Sequence, residues 1–321
     1  MRIFSDANYS FIPQRRKAYV FSGVLLLLAM AAMVFNALFL GSWQNYGVDF
    51  TGGSLIQVRF DVPVTAGDLR EALEGSAAYS ITRFGEENEF TIRAPVREAE
   101  DVEAVGLEIR EELVAKFGAG NLEVVRTELV GPKIGGELQR KAAMAIAISF
   151  VLTLIYLAIR FELRFGLAAV ITTLHDILIM FGFLAIFRLE IALPTVAAIL
   201  TIVGYSLNDT IVVFDRIREN LNKKGGRKED PAALVNRSIN ENLPRTILTS
   251  GTTVAVLLAL LVLGGPVIRD FTLILILGVV VGTYSSIFVA APALLEIQKR
   301  LRFADAQERE RRKRRETAVP V

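Results

Sequence analysis

Cysteine is absent from the 321 residues and histidine occurs once. Without thiols there is no disulfide framework, no thiolate zinc or iron–sulfur site and no cysteine nucleophile. A single histidine excludes a His-rich metal site and any mechanism that needs two imidazoles. Charge is scarce too: 22% of residues are charged against 52% apolar, and the mean hydropathy is +0.44. The chain is too apolar to be disordered and too apolar for most soluble enzymes of its size.

What fills the sequence instead is long apolar runs. A bilayer-spanning helix needs about 20 mostly apolar residues, and six stretches qualify: Ala18–Leu40, Ala142–Ile159, Phe165–Phe187, Ile191–Phe214, Ile247–Leu263 and Phe271–Leu295. The first follows Arg15, Arg16 and Lys17 and imitates a secretory leader. It is longer than the usual apolar region of about 7–15 residues, and five further spans follow, so it is read as a span. The fifth is the weakest, being short and opening on Thr249-Ser250-Gly251-Thr252-Thr253.

Lys and Arg in short loops set the orientation. With the N-terminus cytoplasmic, the inner segments 1–17, 160–164, 215–246 and 296–321 hold 23 Lys and Arg, while the short outer loops hold Arg188 and Arg269 alone. Both termini are therefore expected inside a cytoplasmic membrane, with spans at 18–40 and within 142–295 and a basic cytoplasmic tail at 296–321. The run Arg309 to Arg315 reads as a solvated inner-surface tail; no aromatic residues are interleaved, so no nucleic-acid partner is expected.

The one large piece outside the spans is 41–141. Between Leu40 and Arg140 it carries 9 Lys and Arg against 18 Asp and Glu, a net charge of −9. Ser54–Phe60 alternates with Ile56, Val58 and Phe60 on one face, a strand. Thr65 is placed to cap a short helix. Ser80–Phe84 and Glu89–Arg93 read as strands joined by a hairpin at Gly85–Asn88. Asp101–Phe117 reads as a helix with Val102, Val105, Ile109, Leu113 and Phe117 on one side, and Leu122–Val130 as a final strand. The order β-α-β-β-α-β predicts a ferredoxin-like α+β domain on the outer face. Its acidity is either a solvated surface or a site for an emerging polypeptide or partner, and no catalytic constellation is seen. Asn45 to Gly53 is glycine-rich but lacks Gly-Lys-Ser/Thr and a following helix, which argues against phosphate binding. It reads as a tight connection in which glycine permits positive φ.

Ionisable residues within a span cost at least about 2.5–3.5 kcal/mol at the bilayer centre and usually mark ion or substrate paths. Asp209 sits in Val203-Gly204-Tyr205-Ser206-Leu207-Asn208-Asp209-Thr210 with apolar sequence on both sides. Tyr205 lies one turn away on the same face, and Asn208 is placed to donate a hydrogen bond. The carboxylate is either a proton-titrating group or one held for structure; Asp215, beside Arg216, is interfacial. Arg245 opens the fifth span in line with Thr249 and with Thr252 or Thr253, a polar stripe; it either faces inward or snorkels to the headgroups. His175-Asp176, midway along the third span, lacks further metal ligands and reads as a buried polar pair or as part of a proton path. Gly278, Gly282 and Ser286, four residues apart, read as a close-packing stripe. No cofactor or metal site is expected.

Gly47-Val48-Asp49-Phe50-Thr51-Gly52-Gly53, His175-Asp176, Gly204-Tyr205-Ser206-Leu207-Asn208-Asp209-Thr210, Phe214-Asp215-Arg216-Ile217-Arg218-Glu219-Asn220 and Arg245-Thr246-Ile247-Leu248-Thr249-Ser250 together resemble the SecF family of bacterial protein export. The resemblance implies half of a resistance-nodulation-division type unit, completed by SecD as an obligate partner. It further implies association with the SecYEG channel, with YajC as a possible further associate, and preproteins as the substrate. Proton flow would help pull the preprotein outward, with Asp209 and Arg245 in the proton path and no enzymatic activity. Protonating Asp209 would remove the counter-charge of Arg245 and favour a different helix packing. Three rivals share parts of the pattern. A proton-driven small-molecule exporter is disfavoured because six spans and one small domain offer no obvious drug pocket. An intramembrane aspartyl protease is disfavoured because no Gly-x-Gly-Asp flanks Asp176 or Asp209. A purely structural scaffold is the third.

Overall fold

The computed structural model describes residues 7–73, 79–84, 88–94, 102–223, 228–265 and 268–300. The basic run Arg309 to Arg315 and the centre of the expected hairpin at Gly85–Asn88 lie outside them. The chain opens on helix α1, Arg15–Phe39. Its sequence is apolar on every side, and Val20, Leu27 and Leu38 stay exposed, as on a helix whose solvent is lipid. Two polar residues point inward: Ser22 Oγ lies 3.0 Å from Tyr284 Oη, and Asn36 Nδ2 donates to the Ala185 carbonyl at 2.9 Å.

A short strand β1 (Asn45–Tyr46) and a one-turn helix α2 (Val48–Thr51) lead into the inserted domain. The sequence reading expected no helix in this glycine-rich stretch; the turn fits because Gly52 and Gly53 leave it at φ 74° and 137°, values that favour glycine. The domain runs β2 (Gly53–Phe60), α3 (Ala66–Ala72), β3 (Ser80–Arg83), β4 (Glu89–Ala94), α4 (Val102–Phe117) and β5 (Leu122–Val130). The strands form one antiparallel sheet in the order β3-β4-β2-β5. Alternation puts Ile56, Val58, Phe60, Ile81, Phe90 and Ile92 on one face, where Leu69 of α3 and Ile109 and Leu113 of α4 cover them. Thr65 caps α3 in a reciprocal box with Asp68: the Asp68 N–H donates to Thr65 Oγ1, and Asp68 Oδ2 accepts the Thr65 N–H at 2.8 Å. The Thr65 hydroxyl, which donates to Asp68 Oδ2 at 2.7 Å, and the Thr65 N–H hold the Asp68 carboxyl below its ordinary value.

The remaining helices are α5 (Pro132–Arg160) and α6 (Leu163–Phe187), the two-residue strand β6 (Glu190–Ile191), then α7 (Leu193–Asn222), α8 (Pro231–Leu263) and α9 (Arg269–Ser285). A π-helical turn, Ser286–Ala290, continues α9 so that the whole apolar span reaches Arg300. Among the described residues, six helices are thus long and apolar enough to cross a membrane. Two begin well before their apolar stretches. α5 starts at Pro132 and α8 at Pro231, because a helix persists into polar sequence wherever one stripe stays packed; in α8 that stripe is Leu234, Val235, Ile239 and Leu243. The buried shares of the apolar stretches, 50%, 56% and 56% for α6, α7 and α9 against 17%, 6% and 17% for α1, α5 and α8, separate a central trio from a periphery.

The helices enclose two apolar clusters. At the end away from the inserted domain, Phe161, Phe165, Phe214, Ile217, Leu234 and Leu294 pack together. At the domain end, Phe50, Met180, Leu184, Ile199, Ile274 and Val279 do so. Between them, on α6, α7, α8 and α9, the sequence turns polar.

Candidate functional site: two carboxylates in the helix bundle

Asp209, on α7, is 8% exposed. Thr246 Oγ1 of α8 donates to its Oδ1 at 3.0 Å, and Ser286 Oγ, at the start of the π turn, donates to its Oδ2 at 2.6 Å. Asp176, on α6, is 3% exposed. Its Oδ2 accepts from Ser206 Oγ of α7 at 2.5 Å and Ser285 Oγ of α9 at 2.7 Å, while His175 Nδ1 lies 2.8 Å from its Oδ1. His175 Nε2 is buried without a hydrogen-bond partner among the described residues. The adjacent hydroxyls of Ser285 and Ser286 therefore serve one carboxylate each, and Ser206, which donates to Asp176, lies one turn before Asp209 on α7. Each rests on hydroxyl donors, which satisfy a carboxylate or its protonated form by turning an O–H. Among the described residues no cation forms a direct ion pair with Asp209. A carboxylate held this way can gain or lose a proton without leaving a buried cation unpaired.

Close packing makes the arrangement possible. A Cβ on Gly278 would stand 2.5 Å from Ile202, and one on Gly282 would stand 2.9 Å from the Ser206 Cβ and 3.2 Å from its Cα. Glycine lets α9 approach α7 closely enough for Ser285 and Ser286 to reach across. The third member of that stripe, expected to be packing alone, is the hydroxyl on Asp209. π turns cluster at functional sites, and this one begins at Ser286.

Other expected partners lie elsewhere. Tyr205 Oη donates to Ser250 Oγ at 3.4 Å and Thr253 Oγ1 at 3.5 Å, not to Asp209. Asn208 is exposed and makes no hydrogen bond among the described residues, because one step along a helix turns a side chain about 100° away from its neighbour. Arg245 is exposed on α8; its charge reaches Asp209, but the pair form no salt bridge. Thr249 and Thr252 stand on the same exposed face, and Thr201, Gly204 and Asn208 are exposed on α7. Asp215 pairs with Arg160 at 3.2 Å. Thr246, Ser206, Ser285 and Ser286 were missed by the sequence reading. The signal available was their i, i+3 and i+4 spacing from glycines and carboxylates, and it gives no helix register across the bundle. Among the described residues no group of three or more His, Cys, Asp or Glu could hold a metal.

Six membrane-length helices, an inserted α+β unit and a pair of hydroxyl-held carboxylates define a multi-pass membrane protein of the transport class. Residues 109–300 match the family model "Protein export membrane protein SecD/SecF, C-terminal", and 45–64 match the "SecD/SecF GG Motif". The chain is 49% identical over 307 residues to the protein translocase subunit SecF of Gemmatimonas aurantiaca, covering 94% of this chain and 90% of that one. It is 41% identical over 296 residues to the SecF of Vibrio alginolyticus, covering 91% of each. A crystal structure of SecDF from Thermus thermophilus, described as a translocon-associated membrane protein, superposes with a TM-score of 0.79 at 39% identity. That match covers 92% of this chain, which spans 39% of the SecDF chain. The chain belongs to the SecF family of protein translocase subunits, accessory and non-enzymatic components of Sec protein export.

Proposed function

We propose that this chain pairs with SecD to form one resistance-nodulation-division type unit in the cytoplasmic membrane, and that proton flow through it helps complete preprotein translocation at the SecYEG channel, where YajC is a further candidate associate. In this reading both termini are cytoplasmic and residues 41–141 form a ferredoxin-like domain on the outer face, a reading that the strand order β3-β4-β2-β5 supports. Asp209 is the proton-binding carboxylate and Arg245 the cation that responds to its charge. Thr246 and Ser286 orient the carboxyl, and His175-Asp176 is a second polar station joined through Ser206 and Ser285. Tyr205, Asn208 and Thr249 line the approach from the partner side.

The observation that carries the reading is the face of α7 and α8 that the chain leaves uncovered. Thr201, Asn208, Arg245, Thr249 and Thr252 are exposed beside Asp209 on helices otherwise suited to lipid. Polar and cationic groups at that depth are costly against hydrocarbon and are met by another bundle or by water. A partner with six spans of its own and an acidic group facing Arg245 fits. A lone small-molecule exporter is not favoured, since the relatives are named translocase subunits.

The absence of native cysteine allows a direct test. Asn208→Cys and Thr252→Cys, each the single thiol in the SecF chain, are expected to form disulfides with cysteines placed along the central helices of SecD. Leu38→Cys, 73% exposed on α1, is expected to form none. Equal cross-linking from Leu38, or none from Asn208 and Thr252, would remove the basis for the pairing.

A further inference from the structure

The helix carrying Asp209 begins at the foot of the inserted domain, and three sets of contacts hold that spot. β1 pairs in parallel with β6, Asn45 opposite Glu190 and Tyr46 opposite Ile191, and the Gly47 N–H donates to the Ile191 carbonyl at 2.9 Å. Asp49 Oδ2 accepts the Leu193 N–H at 2.8 Å, placing a carboxylate on the first turn of α7. Finally, Arg93 on β4 reaches out of the sheet to the Glu190 carboxylate. The first two tie the linker to α7. The third is, among the described residues, the one ion pair between the sheet itself and the membrane-spanning part.

We propose that the Arg93–Glu190 pair is a latch through which displacement of α7 turns the inserted domain, with Asn45–Gly53 as its pivot. This rests on the reading of Asp209 as the proton-binding group that displaces α7. Both side chains are well covered, at 24% and 13% exposure. Burial pushes the Glu190 carboxyl above its ordinary value, Asp49 and Asp270 push it further, and Arg93 is the group that pulls it back. Removing one partner of such a covered pair leaves an uncompensated charge, whereas changing both together need not. The pair fixes position more than it adds stability.

The surroundings fit a moving joint. Beside the latch lies a cleft of about 380 Å³, with Gln57, Arg126 and Glu128 on the sheet side and Pro194, Asp270 and Phe271 on the helix side. The sheet thus meets the helices through a narrow contact with free space next to it. Gly47 belongs to the same joint: a Cβ there would collide with the Glu190 carboxyl. On the far side of the pivot, a Cβ on Gly135 of α5 would stand 2.7 Å from the Gly52 nitrogen. The segment is thus closely held at Gly47 and again at Gly52, the two ends of α2.

The test reads domain position, not export alone. Spin labels at Leu107→Cys on α4 and Val262→Cys at the domain end of α8, both exposed sites, report their separation in the SecD complex in vesicles. A single narrow distance is expected with the native pair. Arg93→Glu and Glu190→Arg are each expected to broaden or shift it and to lower proton-driven export at least tenfold. The double exchange is expected to restore both. Native distances in the single variants, or no restoration in the double exchange, would overturn the latch; so would a double exchange that fails to accumulate when the single variants do. Asp209→Asn separates the two ideas: export that survives it removes the proton reading, while the label distances still decide the latch.

Discussion

Asp209→Asn is expected to abolish the dependence of export on the proton gradient while leaving the helices folded. Asparagine keeps the shape of the side chain, accepts from Thr246 through its Oδ1 and meets Ser286 through its amide, so the contacts at 3.0 Å and 2.6 Å keep partners. A buried neutral amide also costs less than a buried charge, so thermal stability should hold or rise. What disappears is titration. One proton crossing 100 mV supplies about 2.3 kcal/mol, on the order of 50-fold in an equilibrium, and that bias is lost. Reconstituted vesicles with and without an imposed gradient measure it: the variant should show the same export rate in both, equal to the wild-type rate without a gradient.

Gly282 carries the second large effect. Alanine there already places a carbon 2.9 Å from the Ser206 Cβ and 3.2 Å from its Cα, so α9 must retreat from α7. Overpacking of a close contact costs about 1–3 kcal/mol, and leucine should exceed alanine. The retreat lengthens the bonds from Ser285 to Asp176 and from Ser286 to Asp209 together, because both serines are carried by α9 and the π turn that continues it. Gly282→Leu should therefore lower the melting temperature and reduce gradient-driven export to the level of Asp209→Asn. Gly166→Ala is the control: nothing lies within 4 Å of its added Cβ, and removing a helical glycine there should be neutral or stabilising.

The spans, the inserted domain and the burial of Asp209 within a span could be read from one sequence because each is a local signal: a run of apolar residues, an alternation, a charge where charge is costly. The partners of Asp209 could not. Sequence proximity suggested Asn208 and Tyr205, but adjacent residues on a helix diverge, and Asn208 turns outward. Thr246 and Ser286, 37 and 77 residues away, arrive through helix packing. Ser286 was visible only as the end of a small-residue stripe, which speaks of distance between helices and not of which hydroxyl meets which acid. Arg93 and Glu190 were invisible for the same reason: each is an unremarkable charge near a strand end or a short loop until the fold brings them together. The starts of α5 and α8 were misplaced because apolarity marks lipid contact, whereas helices continue as long as one stripe stays packed.

The central claim is that the Asp209 carboxyl gains and loses a proton as the complex works. Infrared difference spectroscopy of the SecF–SecD complex in vesicles, recorded as a proton gradient is imposed and collapsed, observes this directly. A protonated-carboxyl carbonyl band that appears and vanishes with the gradient, and is missing in Asp209→Asn, is the expected result. A spectrum with no such band, or one whose band persists unchanged in Asp209→Asn, would contradict the account.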